Sequence, residues 1–198
     1  MPMSRFVLAA FALVGLAACG DREATPTLAE RAATLSAGLD VDTLMVGGRP
    51  ETVTFREASG STFPVPFTVR VPAPMAVTTE RTAAGETLRL ASSNPEGAWT
   101  MTFLAAGTDA AAAGSAVDSV ATSLGTATPD PSAPSAALAS FRTAGSGRSG
   151  AVWLGQHAGR FYVVASDASD AAREAFEARV AYVLDTWRWT DDGSGLGG

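Results

Sequence analysis

Apolar and polar positions alternate through the first half of this chain. Val53 and Phe55 alternate with Thr52, Thr54 and Arg56; Phe63, Val65, Phe67, Val69 and Val71 alternate with Pro64, Pro66, Thr68 and Arg70. A period of two predicts half-buried strands, because successive side chains of an extended chain leave on opposite faces. Pro64 and Pro66 fall on the outward phase, which places the start of the second strand at a sheet edge. Val77 to Glu80 and Thr87 to Ala91 flank Ala83-Ala84-Gly85 and predict a hairpin. Asn94-Pro95-Glu96-Gly97 carries the residues of a type I turn and leads into a strand with Trp99, Met101 and Phe103 on one face.

Elsewhere the period is helical. Leu28, Ala32, Leu35 and Leu39 predict an amphipathic helix over Leu28 to Leu39, and Gly47-Gly48-Arg49-Pro50 breaks the chain before the strands. Ala113, Val117, Val120, Ala121 and Leu124 form a second stripe, with Thr108 or Asp109 as N-cap and Gly125 just past its end. Residues 127–136 (ATPDPSAPSA) read as a mobile loop, and strands follow at 137–143, 151–156 and 160–166. Phe176, Val180, Val183, Leu184 and Trp187 share one face of a closing helix, for which Asp167, Ser169 and Asp170 are capping choices. Residues 190–198 read as a disordered tail. This order predicts a single α+β domain over residues 28–189, a largely antiparallel sheet packed with helices on its faces.

The N-terminal segment has a different pattern. Arg5 precedes an apolar run from Phe6 to Leu16, and Leu16-Ala17-Ala18 leads to Cys19, the single cysteine of the chain. That is the layout of a secretory signal peptide, and the run is too short for a stable membrane span. With Cys19 at the boundary, the segment resembles a bacterial lipoprotein signal. The resemblance implies cleavage after residue 18, a diacylglycerol on Cys19, a tether over residues 19–27, and a domain facing the periplasm or exterior from a cell membrane or outer membrane. Two acyl chains anchor stably where one anchors only marginally.

Composition narrows the partners. Removing residues 1–18 leaves 180 of 198 residues, enough to bury a core without staples. The net charge is −6, and losing Arg5 brings it to −7. An acidic surface argues against nucleic acid and against electrostatic adhesion to anionic head groups. All 14 basic residues are arginine, consistent with GC-rich coding. A lone cysteine excludes a disulfide within the domain.

Candidate chemistry is sparse. His157 is the single histidine and sits in Gln156-His157-Ala158-Gly159, where a turn is expected. No G-x-S-x-G nucleophile elbow occurs. Gly145, Gly147 and Gly150 satisfy G-x-G-x-x-G but lie between two predicted strands, whereas a dinucleotide fingerprint opens a helix. One histidine and one lipid-bearing cysteine argue against a zinc site of nitrogen and sulfur ligands. Asp167 and Asp170 suit helix capping better than calcium. No catalytic, cofactor or metal residues are therefore assigned. Trp187-Arg188-Trp189 is the most interesting aromatic cluster: one reading has Trp187 complete the helix's core face while Trp189 covers the edge of the sheet, and the functional alternative makes Arg188 with Trp189 a partner patch, since Trp and Arg are enriched in binding hot spots.

Three stretches carry a further resemblance. Phe67-Thr68-Val69-Arg70-Val71-Pro72 followed by Met75 looks like an opening strand and its proline turn, Arg160 to Ser166 like a penultimate strand, and Phe176 to Trp187 like a closing helix. Together they resemble the PsbP/DcrB-like αβα sandwich family. What the resemblance implies is that sandwich fold and a non-enzymatic binding or assembly module, here a lipid-anchored envelope protein whose partner is an envelope protein or a small ligand. The alternatives are a hydrolase-like envelope enzyme and a purely structural lipoprotein.

Overall fold

The computed structural model describes residues 38–82 and 85–196. The lipoprotein signal, Cys19, the tether and all but the last two residues of the helix expected over Leu28 to Leu39 lie outside them. Gly38 and Leu39 are not helical and lead directly into a strand.

The chain orders as β1 (Asp40–Val46), β2 (Arg49–Ser59), β3 (Phe67–Pro72), β4 (Ala76–Thr82), β5 (Gly85–Ser93) and β6 (Glu96–Leu104), then helix α1 (Ala110–Leu124). β7 (Thr126–Pro129), β8 (Ala139–Gly145), β9 (Arg148–His157) and β10 (Arg160–Ser169) follow, then α2 (Arg173–Thr186) and the two-residue β11 (Arg188–Trp189). All pairings are antiparallel, in a four-stranded sheet of order β1-β2-β3-β11 and a seven-stranded sheet of order β4-β5-β6-β10-β9-β8-β7.

This corrects the expected fold class. Strands hold 52% of the described residues and helices 18%, in two helices and two sheets, so the chain is a β-rich fold and not a helix-packed α+β sandwich. The physical reason lies in what covers the large sheet. Its inner face is met by the small sheet: Phe67, Val69 and Val71 share one core with Leu90, Trp99, Met101, Phe103 and Tyr162. α2 adds Phe176 and Val183 to that core, while α1 covers part of the outer face through Ala113, Val117 and Ala121.

Local expectations diverge in instructive places. The predicted break narrows to a hairpin turn: Gly47 and Gly48, with φ of 57° and 73°, join the unpredicted β1 to β2, and Arg49 and Pro50 already belong to β2. Phe63 and Val65 are buried but precede β3 in non-strand conformation, so alternation there reports burial and not extension. The β5–β6 turn has Asn94 and Pro95 as its central residues, joined by a cis peptide, instead of Pro95 in the second position of a type I turn. Residues 126–129, overlapping the expected mobile loop, form edge strand β7, and Asp130 after it is buried.

The helices start differently. The Asp109 carboxylate accepts from Ala112 N at 2.8 Å and caps α1. Ala172 precedes α2 without a side-chain cap, because β10 runs on through Ser169 and gives Asp167 to Arg148 at 2.6 Å. The expected tail is partly built into the fold: Leu196 is buried in the main core, and Thr190 N donates to Pro66 O at 3.0 Å. Neither described helix is long and apolar enough to cross a membrane.

Candidate functional site

Toward β9 and β8 the inner face of the large sheet is overhung by α2. A cavity of about 430 Å³ lies between the helix and this part of the sheet. Trp99, Trp153 and Val164 line it from the sheet, and Val180 and Leu184 from the helix. The volume lies within the range of small-molecule pockets, about 300–1,000 Å³.

One residue of this wall carries a buried polar atom without a partner. Trp99 is 1% exposed, and its Nε1–H meets no hydrogen-bond acceptor among the described residues. Leaving a buried donor unmade costs about 1–3 kcal/mol.

The rim is charged and tightly wired. Arg142 Nε meets Asp130 Oδ2 at 2.8 Å, and Arg142 Nη1 lies 3.8 Å from Glu177 Oε1 on α2. The Ser132 hydroxyl donates to Asp130 Oδ1 at 2.6 Å, and Ser132 N donates to the same oxygen at 3.0 Å. Burial pushes the Asp130 carboxyl up, but the Ser132 bonds and the Arg142 charge outweigh it and hold the group below the ordinary carboxylate range. The titratable groups lining the cavity are thus Asp130, Arg142 and Glu177, all engaged with one another, and His157 is not among its lining residues. That arrangement suits binding better than proton transfer.

The sequence-predicted residues fall elsewhere. Arg188 and Trp189 do not form a patch, because alternation along β11 turns one outward and the other inward. Trp189 is 1% exposed and packs edge-on to Trp187 at 5.3 Å between centroids. Arg188 stays exposed, but its Nη1 donates to the carbonyls of Asp185 and Trp187 at 2.9 and 2.6 Å. Gly145, Gly147 and Gly150 belong to the β8–β9 hairpin, where Ser146 and Gly147 take φ of 54° and 70° as the two turn residues.

His157 closes β9 and stacks flat on Trp189, with centroids 4.6 Å apart and 11° between planes. Its Nε2 lies 2.9 Å from Asp191 Oδ1 and 3.9 Å from Asp192 Oδ2. Sequence reasoning missed both this cluster and the Asp130–Arg142 rim. The Asp-Pro-Ser run at Asp130 was a visible turn signal, but nothing local ties it to Arg142 or α2. The chain matches no protein-family model and no curated protein.

Proposed function

We propose that this chain is an exported, membrane-tethered binding protein that holds a small amphiphile in the cavity between α2 and the seven-stranded sheet. The observation that carries this reading is the cavity of about 430 Å³ itself, with Trp153, Val164, Val180 and Leu184 in its wall and Arg142 at its rim. The ligand chemistry follows: an apolar body for Trp153, Val164, Val180 and Leu184, and an oxygen-bearing head that accepts from the Arg142 guanidinium at the rim. Tethering rests on the Arg5, Phe6–Leu16 and Cys19 pattern, with lipid on Cys19 as the anchor.

Two experiments test the two halves separately. Anilinonaphthalene sulfonate supplies an apolar ring system and a sulfonate, so its fluorescence should rise on saturable binding and Val180→Trp, which fills the cavity, should abolish the rise while thermal melts confirm folding. Undiminished binding by a folded Val180→Trp variant would remove the cavity as the site. Cys19→Ser should lose labelling by radioactive palmitate and move to the soluble fraction; persistent membrane association would end the lipoprotein reading.

A further inference from the structure

We propose that His157, Asp191 and Asp192 bind a divalent transition-metal ion, with zinc(II) the best fit to their chemistry. The site is separate from the cavity and does not depend on it. One ligand atom from each of the three residues lies within 4.8 Å of the other two. Zinc holds imidazole nitrogen and carboxylate oxygen at about 2.0–2.2 Å, so tetrahedral donors sit roughly 3.4 Å apart. The distances from His157 Nε2 bracket that spacing, at 2.9 Å to Asp191 Oδ1 and 3.9 Å to Asp192 Oδ2. An ion entering the cluster would ease Asp191 outward and draw Asp192 inward by only about half an ångström.

A plain hydrogen bond accounts for His157 and Asp191 but not for Asp192. At 3.9 Å its Oδ2 converges on the imidazole without a hydrogen bond to it. The other oxygen, Oδ1, is committed to Ser194 N at 2.8 Å, which fixes the carboxylate in place. The imidazole is fixed as well, its plane held against buried Trp189 and its side chain only 14% exposed. Donors held in position before binding lose little freedom when the ion arrives. Two carboxylates also match the charge of a divalent cation around a neutral imidazole.

The donor set selects the metal. An imidazole nitrogen favours zinc and its neighbours over calcium and magnesium, and three protein ligands are too few for calcium's six to eight oxygens. Asp191 and Asp192 are 42% and 53% exposed, so the fourth position faces solvent. Because the ligands come from the end of β9 and from the segment after β11, the ion would clasp the C-terminal segment to the β9–β10 turn.

The test titrates zinc chloride into the untagged full chain, with Cys19→Ser in every sample to remove the thiol as a competing ligand. One saturable site is expected by calorimetry, and cobalt(II) at the same site should quench tryptophan fluorescence because a ligand ring lies on Trp189. Asp192→Asn alters an exposed residue and keeps the His157–Asp191 pair, so it should fold. It should nevertheless weaken zinc binding by more than about tenfold, since even an outer-shell partner is worth about 10–100-fold. His157→Ala should abolish binding and quenching. Absence of saturable binding, equal affinity in Asp192→Asn, or equal affinity for calcium would each overturn the assignment.

Discussion

The ring of Tyr182 lies over that of Phe55, with centroids 4.1 Å apart and 26° between planes. This stack joins α2 to β2 and so fixes the helix whose other side roofs the cavity. The Arg70 guanidinium sits 5.5 Å from each ring centroid, and the Tyr182 hydroxyl donates to Asp42 Oδ2 at 2.9 Å. A second tie, the ion pair between buried Arg179 and Glu51, docks the same helix to the start of β2.

Tyr182 should give the fold an alkaline limit. Burial first, and then the hydrogen bond to Asp42, push its phenol up to about 12 from an ordinary 10.0. A raised value means that the folded state keeps a proton the unfolded chain has lost. The stabilisation is therefore complete below pH 10 and disappears as pH rises toward 12. Tyr162, buried in the core, is pushed up further. Folded protein should show no phenolate absorbance through pH 10.5, and the stability advantage over Tyr182→Phe should be constant up to pH 10 and shrink above it. Ordinary phenolate titration in the folded state would contradict this.

A glycine sets how closely α2 approaches the sheet. A Cβ at Gly97 on β6 would fall 2.6 Å from the Phe176 ring, itself 1% exposed. Gly97→Ala should cost about 1–3 kcal/mol through overpacking, and Phe176→Ala about 3–5 kcal/mol through loss of burial and the space left behind. In the double variant the two costs should combine to less than their sum, because the small residue removes the clash. Glu177→Ala, exposed and with only the 3.8 Å contact to Arg142, should change stability by no more than about 1 kcal/mol. Denaturant melts of the four variants decide this, and equal shifts for Phe176→Ala and Glu177→Ala would mean a loosely docked helix.

Asp130 should give the rim an acid limit. With its carboxyl held below the ordinary range, its stabilisation is present above the unfolded-state value and is lost as pH falls through the lower folded one. Asp130→Asn should lower stability by about 1.5–3 kcal/mol at pH 7, the usual worth of hydrogen bonds to a charged group. As pH falls through that lower folded value, the wild type and variant should converge. A gap independent of pH would place the loss in packing and not in charge.

How much of this was legible beforehand differs by element. The stripe Ala113, Val117 and Ala121 with Asp109 and Gly125 specified α1, because a helix is built from contacts three and four residues apart and its caps are local. The strands carrying Trp99, Met101 and Phe103 and residues 160–166 were legible for the same reason: both faces of β6 and β10 are written in neighbouring residues. β1 was not, since among its seven residues Leu44 is the only buried one, too little to mark a strand at a sheet edge.

What the sequence by itself determined is therefore the set of local elements and the acidic, lysine-free character of the chain. Only the tertiary structure decided that a second sheet, and not a helix layer, covers the inner face of the first. Hydrophobic burial is non-directional, so an apolar strand face accepts either cover, and the choice depends on pairings such as β3 with β11 that join residues far apart in the chain. The same holds for the sites. Trp189 turns inward because β11 pairs with β3, and that pairing carries Asp191 and Asp192 to His157, 34 residues from the nearer of them. Likewise Arg142 meets Glu177 only because α2 crosses the large sheet. Such meetings are fixed by the burial of the whole core and leave no mark in any local stretch of sequence.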